Sequence, residues 1–230
     1  MSFSETIING KWKLNLPDHR LKLWEGGWEE ARLEALRSRI SDGTVVYDIG
    51  SEENDMTALM ATWGARMVSV EPSPYYWPRA KEVFEMNNVK PEYCYVGFAS
   101  QVTDESNADF EMGEKDGWPL CAYGEGKEGF RHLAQETDAT PQITIDDLVT
   151  RCLIPDILNI DVEGSCFEVL KGAFKILLEY SPEVFVSIHP EIMKEWYKTT
   201  PEDLYGYMEK LGYKKKFLGF AHEFHYHFFK

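Results

Sequence analysis

The residues best suited to chemistry are carboxylates and one histidine, each in or just past a short apolar run. Asp48 lies within Val45 to Ile49, Glu71 follows Met67 to Val70, Asp161 and Glu163 follow the run from Asp156, and His189 follows Val184 to Ile188. Runs this short, bounded by Gly, Pro or acidic turns, read as buried strands. In an open α/β sheet, ligands sit at the carboxyl ends of the strands, so these residues are expected to meet along one edge.

Glu71 follows Asp48 by 23 positions, near the ~20 expected of an acid that holds a ribose hydroxyl pair. That spacing suits NAD as well, so the intervening loop decides. Asp48-Ile49-Gly50-Ser51-Glu52-Glu53-Asn54-Asp55 has one glycine where a pyrophosphate fingerprint needs three. Its carboxylates each oppose a phosphate at ~4 Å by a few kcal/mol at an effective dielectric near ~20. A cationic nucleoside without phosphate, S-adenosylmethionine, is therefore favoured over a dinucleotide. The candidate cofactor contacts are Asp48, Gly50, Ser51, Glu52, Glu71 and Pro72, with Ala99 and Ser100 past the third strand and Asp161 past the fourth. The competing reading of Glu52, Glu53 and Asp55 is that they decorate a helix N-terminus, where the macrodipole favours acids.

Methyl transfer from such a donor is an in-line displacement, and a base is needed only if the acceptor must lose a proton. Asp161 and Glu163 alternate along a strand end and should project to one side. The catalytic candidates are Asp161, to position the acceptor, Glu163, and His189 as general base. Structural roles compete: Asp161 could bond backbone amides, and Glu163 could cap the next helix. A divalent metal on Asp161, Glu163 and His189 suits these donor types but is the less favoured alternative. His222, His225 and His227 form a second group, read as the polar face of a terminal strand ahead of a metal site.

The elements that must position these groups follow from periodicity. Strands are expected at 45 to 49, 67 to 70, 93 to 98, 156 to 161 and 184 to 188, with helices after the first two and one long amphipathic helix from Cys166 to Leu177. Thr200-Pro201-Glu202-Asp203 reads as a capped helix start, and 214 to 220 with 223 to 229 as an antiparallel hairpin. The expected fold is a Rossmann-like, doubly wound, mostly parallel seven-stranded α/β sheet with that hairpin at its end. Residues 1–43 are expected as an extension with a helix from Trp28 to Ile40, and 44–230 as the catalytic domain. Within it, 101–140 carries ten acids against three basic residues without clean periodicity. It reads as a lid, with Phe110, Trp118, Tyr123 and Phe130 for aromatic contacts; a surface excursion or a contact between copies of the chain is the alternative.

From Val45 to Pro190 the motif order resembles the FkbM family of methyltransferases. The matching residues are Asp48-Ile49-Gly50-Ser51, Glu71-Pro72, and Asp161-Val162-Glu163-Gly164 leading to Val169-Leu170-Lys171-Gly172-Ala173. The resemblance implies binding of S-adenosylmethionine and O-methylation of a small molecule or sugar. Glu52-Glu53 departs from the glycine-bearing loop common in this fold. A nicotinamide-dependent oxidoreductase and a non-catalytic nucleoside-binding domain are the rivals.

With 24 basic and 39 acidic residues, the net charge of −15 repels a nucleic-acid backbone. No run reaches the ~18 apolar residues of a membrane span, and Met1 to Gly10 has no basic region followed by an apolar core of the kind expected in a signal sequence. Four scattered cysteines without a C-x-x-C pair fit reduced thiols. The protein is expected in the cytoplasm, with homo-oligomerisation left open.

Overall fold

The computed structural model describes residues 2–106, 113–123, 131–135 and 140–230; Phe110 and Phe130 of the expected lid lie outside the described residues. The chain opens with a hairpin, β1 (Phe3–Ile8) and β2 (Trp12–Pro17), then α1 (Asp18–Trp24) and α2 (Glu30–Arg37). Strict alternation follows: β3 (Val45–Ile49), α3 (Asp55–Thr62), β4 (Arg66–Val70), α4 (Trp77–Met86) and β5 (Tyr93–Tyr95). Four two-residue strands, β6 (Phe98–Ala99), β7 (Glu114–Lys115), β8 (Trp118–Pro119) and β9 (Gln142–Ile143), pair among themselves. The chain then resumes with α5 (Ile145–Leu148), β10 (Ile157–Ile160), α6 (Cys166–Lys171), α7 (Phe174–Glu179) and β11 (Glu183–Ile188). It ends with α8 (Pro190–Ile192), continued by a π turn, α9 (Pro201–Lys210), β12 (Lys214–Ala221) and β13 (Glu223–Phe229).

Seven strands form one sheet in the order β12-β13-β11-β10-β3-β4-β5, with β1 and β2 paired apart from it, the expected α/β architecture. β3, β4, β5, β10 and β11 run parallel, and β13 is antiparallel to both β11 and β12. The chain leaves β3 toward β4 and β5, then returns to the other side of β3 as β10. The strand order therefore reverses between β3 and β10, where a crevice must open at the carboxyl ends.

Period-two alternation splits the core across the sheet. Tyr47, Ile49, Leu158, Ile160, Val184 and Val186 face α6, α7 and α9 through Val169, Leu170, Leu177, Leu204 and Met208. Val46, Met67, Ile157 and Phe185 face the other way, onto Leu36, Ile40 and Met60. Asp48 and Asn159 belong to this second face by the same alternation, so α2 covers polar groups as well as apolar ones.

Three expectations need correction. The helix expected from Cys166 to Leu177 is two helices broken at Gly172, where an added Cβ would stand 2.0 Å from the Ser100 carbonyl oxygen. The strand expected at 93 to 98 leaves the sheet after Tyr95, and Phe98–Ala99 pairs with Gln142–Ile143 instead. The N-terminal hairpin was not anticipated. Its signal is Asn9-Gly10, both at positive φ, between runs that bury Ile8, Leu14 and Leu16. The Thr200 cap is observed as a full capping box with Asp203.

Candidate functional site

A cavity of about 410 Å³ opens at the carboxyl edge over the switch between β3 and β10. Gly50 explains how the two strand ends close beneath it. Its φ is +82°, and an added Cβ would lie 1.7 Å from the Asp161 carbonyl oxygen, so no side chain fits. The walls include Asp48, Gly50, Ser51, Glu52, Glu71, Pro72, Ala99, Asp161, Glu163 and His189, residues the sequence reading selected. Ser100 is not among them: it is buried behind the wall, its amide donating to the Ile143 carbonyl. Glu52 and Glu163 adopt left-handed backbone at φ 45° and 48°, strain that accumulates where side-chain direction matters.

On the β4 side, Glu71 is buried and accepts two backbone amides, Ser73 N at 2.8 Å and Glu52 N at 3.0 Å, one on each carboxylate oxygen. A carboxylate has about four lone-pair positions, so each oxygen keeps one for a ligand hydroxyl. Burial pushes its pKa up to about 8 against the pull of those amides. Asp48 accepts Asn159 Nδ2 at 2.7 Å and the Thr57 hydroxyl, and burial raises its pKa too.

The loop carboxylates are not the free negative charges expected from the sequence. Arg20 of α1 pairs with Asp55 at 2.7 Å and Glu52 at 3.2 Å, while Glu53 takes Arg79 at 3.0 Å and His19 at 2.8 Å. Trp24 Nε1 donates to Asp55 at 3.0 Å. These contacts fasten α1 and α4 onto the loop, so much of the charge that was to repel a phosphate is met by the chain itself. The argument against a dinucleotide then stands on the missing glycines.

Across the crevice, Arg32 of α2 is fully buried and organises the floor. It donates to Glu29 at 2.8 Å, Asp161 at 3.0 Å, Ser187 Oγ at 2.6 Å and Asn159 Oδ1 at 2.8 Å. Ser187 Oγ also bonds Asp161 Oδ2 at 2.9 Å and His225 Nδ1 at 3.1 Å. Asp161 is thus held through one oxygen. His189 Nε2 lies 3.7 Å from Glu163 and 3.6 Å from Glu223, so His189 and Glu163 approach as expected but without a hydrogen bond.

Glu29, Arg32, Ser187 and Glu223 were not expected at this site from the sequence. Arg32 did leave a signal, as a cation on the inner face of a helix beside buried Leu33 and Leu36. Glu223 left none, because only the β13–β11 pairing brings it to His189. His225 and His227 share one face of the terminal strand, as expected, and that face is buried, at 2% and 3% exposure. His227 stacks on Phe185 and bonds Glu183 at 2.6 Å. Burial, with Arg32 nearby, pushes the His225 pKa down to about 4. Burial and the neighbouring Asp161 and Glu29 charges push Glu223 up to about 8.

The four cysteines are free thiols, and among the described residues no helix is long and apolar enough to cross a membrane. The fold is similar to that of a methyltransferase FkbM from Methylobacillus flagellatus, with TM-score 0.57 and 16% identity over 83% of this chain and 44% of that one. This chain therefore spans under half the length of that protein. A precorrin-6y C5,15-methyltransferase from Geobacter metallireducens is similar at TM-score 0.50 and 11% identity, over 87% and 85% of the two chains. No curated protein sequence matches. The model of the methyltransferase FkbM domain matches residues 45–215, so the chain belongs to the FkbM methyltransferase family, with S-adenosylmethionine as the family's cofactor.

Proposed function

We propose that this protein transfers the methyl group of S-adenosylmethionine to a hydroxyl of a small molecule or sugar. The observation that carries the reading is Glu71, a buried carboxylate at the end of β4 that lines the cavity and whose two oxygens are each fixed by a backbone amide. It suits a ribose diol. Gly50, Ser51, Glu52, Pro72 and Ala99 complete the donor half, with Asp48 and Asp161 closing the floor.

The acceptor half lies toward Trp28, Glu163, His189 and Glu223. Carboxylates and an imidazole beside an indole suit a polyhydroxylated acceptor, with Asp161 orienting it, His189 taking its proton and Glu163 assisting. Arg131 and Leu133 reach the cavity from the segment 101–140, which supports a lid that selects the acceptor. The net charge of −15 argues against nucleic acid, and free thiols suit the reducing cytoplasm.

The test is thermal unfolding with S-adenosylhomocysteine and with NAD, followed by transfer of labelled methyl to a panel of sugars and phenols. Stabilisation by S-adenosylhomocysteine alone, with label on a hydroxyl, supports the assignment. Stabilisation by NAD alone overturns it, and label on nitrogen or carboxylate overturns the acceptor class.

A further inference from the structure

Two groups of metal-ligating side chains share Glu223. Asp161, His189 and Glu223 present ligand atoms within 4.8 Å of one another, and so do Glu29, Glu223 and His225. The 3.6 and 3.7 Å separations of His189 Nε2 from the Glu223 and Glu163 carboxylates are too long for hydrogen bonds. Two donors bound to one ion at ~2.1 Å with near-tetrahedral angles stand about 3.5 Å apart.

His225 supplies an independent sign. It is 2% exposed, its Nδ1 is engaged by Ser187 Oγ, and its Nε2 has no hydrogen-bond partner. The Ala221 backbone adjoins the ring without meeting hydrogen-bond geometry there. A histidine whose second nitrogen is fixed by a neighbour is prepared to ligate through the first.

Charge points the same way. Arg32 pairs with Glu29 and Asp161, whereas among the described residues Glu163 and Glu223 have only His189 as an ion-pair partner. A dication between them relieves repulsion that one guanidinium leaves unmet.

We propose that Asp161, His189 and Glu223 bind one divalent first-row transition cation at the acceptor side of the cavity, with His225 closing the shell behind Glu223. Imidazole nitrogen beside carboxylate oxygen selects the manganese-to-zinc series over magnesium or calcium. All three ligands line the cavity, so an ion has a path in from solvent. The ion's part in catalysis rests on the methyltransferase reading, but its binding does not. Bound to the ion, the acceptor hydroxyl is a stronger acid. Its oxygen forms the new C–O bond, the C–S bond breaks with its electron pair passing to sulfur, and, because ligation withdraws His189 from the role of base, the hydroxyl proton passes through Glu163 to water.

The test uses the whole chain, stripped with chelator and without donor. Mn²⁺ binding is followed by electron paramagnetic resonance, and Co²⁺ binding by its visible absorption. The expected result is one ion per chain, held about tenfold or more weaker in both Glu223→Gln and His189→Asn. Nitrogen ligation should appear in the Co²⁺ spectrum and decrease in His189→Asn, leaving His225 as the remaining nitrogen donor. Circular dichroism and S-adenosylhomocysteine affinity, unchanged in both variants, separate loss of the ion from loss of the fold or of the donor site. Binding no tighter than about 1 mM, or equal binding in wild type and both variants, means an adventitious ion only and overturns the proposal.

Discussion

Glu71 should make donor binding expel a proton. Burial moves its pKa from 4.5 to about 8. At about 1.4 kcal/mol for each tenfold step, keeping the carboxylate ionised there costs about 5 kcal/mol. Folded protein thus holds a proton on Glu71 that unfolded protein has released between pH ~4.5 and ~8. Stability from this group is greatest below that window, falls with rising pH through it, and levels off above. A ribose diol that donates two hydrogen bonds favours the ionised form, of which about one part in ten is present at pH 7. Affinity for S-adenosylhomocysteine should therefore rise about tenfold from pH 7 to 9, with about 0.9 proton released per binding event at pH 7. Titration calorimetry in two buffers of different ionisation heat reads both quantities. Glu71→Gln should bind weakly, with a flat pH profile and without proton release. Wild-type binding without proton release and without pH dependence between 6.5 and 9 would refute the reasoning.

Gly50→Ala places a Cβ in the Asp161 carbonyl and forces a left-handed backbone on alanine; a loss of about 3 kcal/mol or more and of donor binding is expected in urea unfolding and ligand titration. Arg32→Met strands Glu29 and Asp161 without their buried counter-charge and should cost about 3 to 5 kcal/mol, whereas the same loss from an exposed pair such as Lys13–Glu5 should fall below about 1 kcal/mol. Thr200→Ala removes the capping box of α9 and should lower stability by about 1 kcal/mol, with methyl transfer unchanged in a labelled-donor assay because α9 lies away from the cavity.

The strands that build the edge were legible because each is a short apolar run, and a buried parallel strand needs little else to declare itself. Asp48, Glu71, Asp161 and His189 could be chosen because topology sends the ends of such strands to one side; Gly50 stood out only as the lone glycine of its loop, and that two strand ends touch there is visible only in the fold. What the sequence could not supply were partners separated by long stretches of chain. Arg20 lies 35 residues from Asp55, and Arg32 lies 129 residues from Asp161. Local periodicity carries no information about such pairs. The loop acids consequently read as free charge, and the N-terminal segment as an appendage, although it supplies Arg20 and His19, which with Arg79 of α4 pair with them. His225 and Glu223 show the same limit. Their alternation marks a strand, but only its antiparallel seat beside β11 turns one face toward Ser187 and buries it. The order of elements and the chemistry of the strand ends follow from side-chain types along the chain. Which charges are answered, and by what, depends on distances that exist only once the sheet has closed, because electrostatic energy is set by separation and burial rather than by sequence.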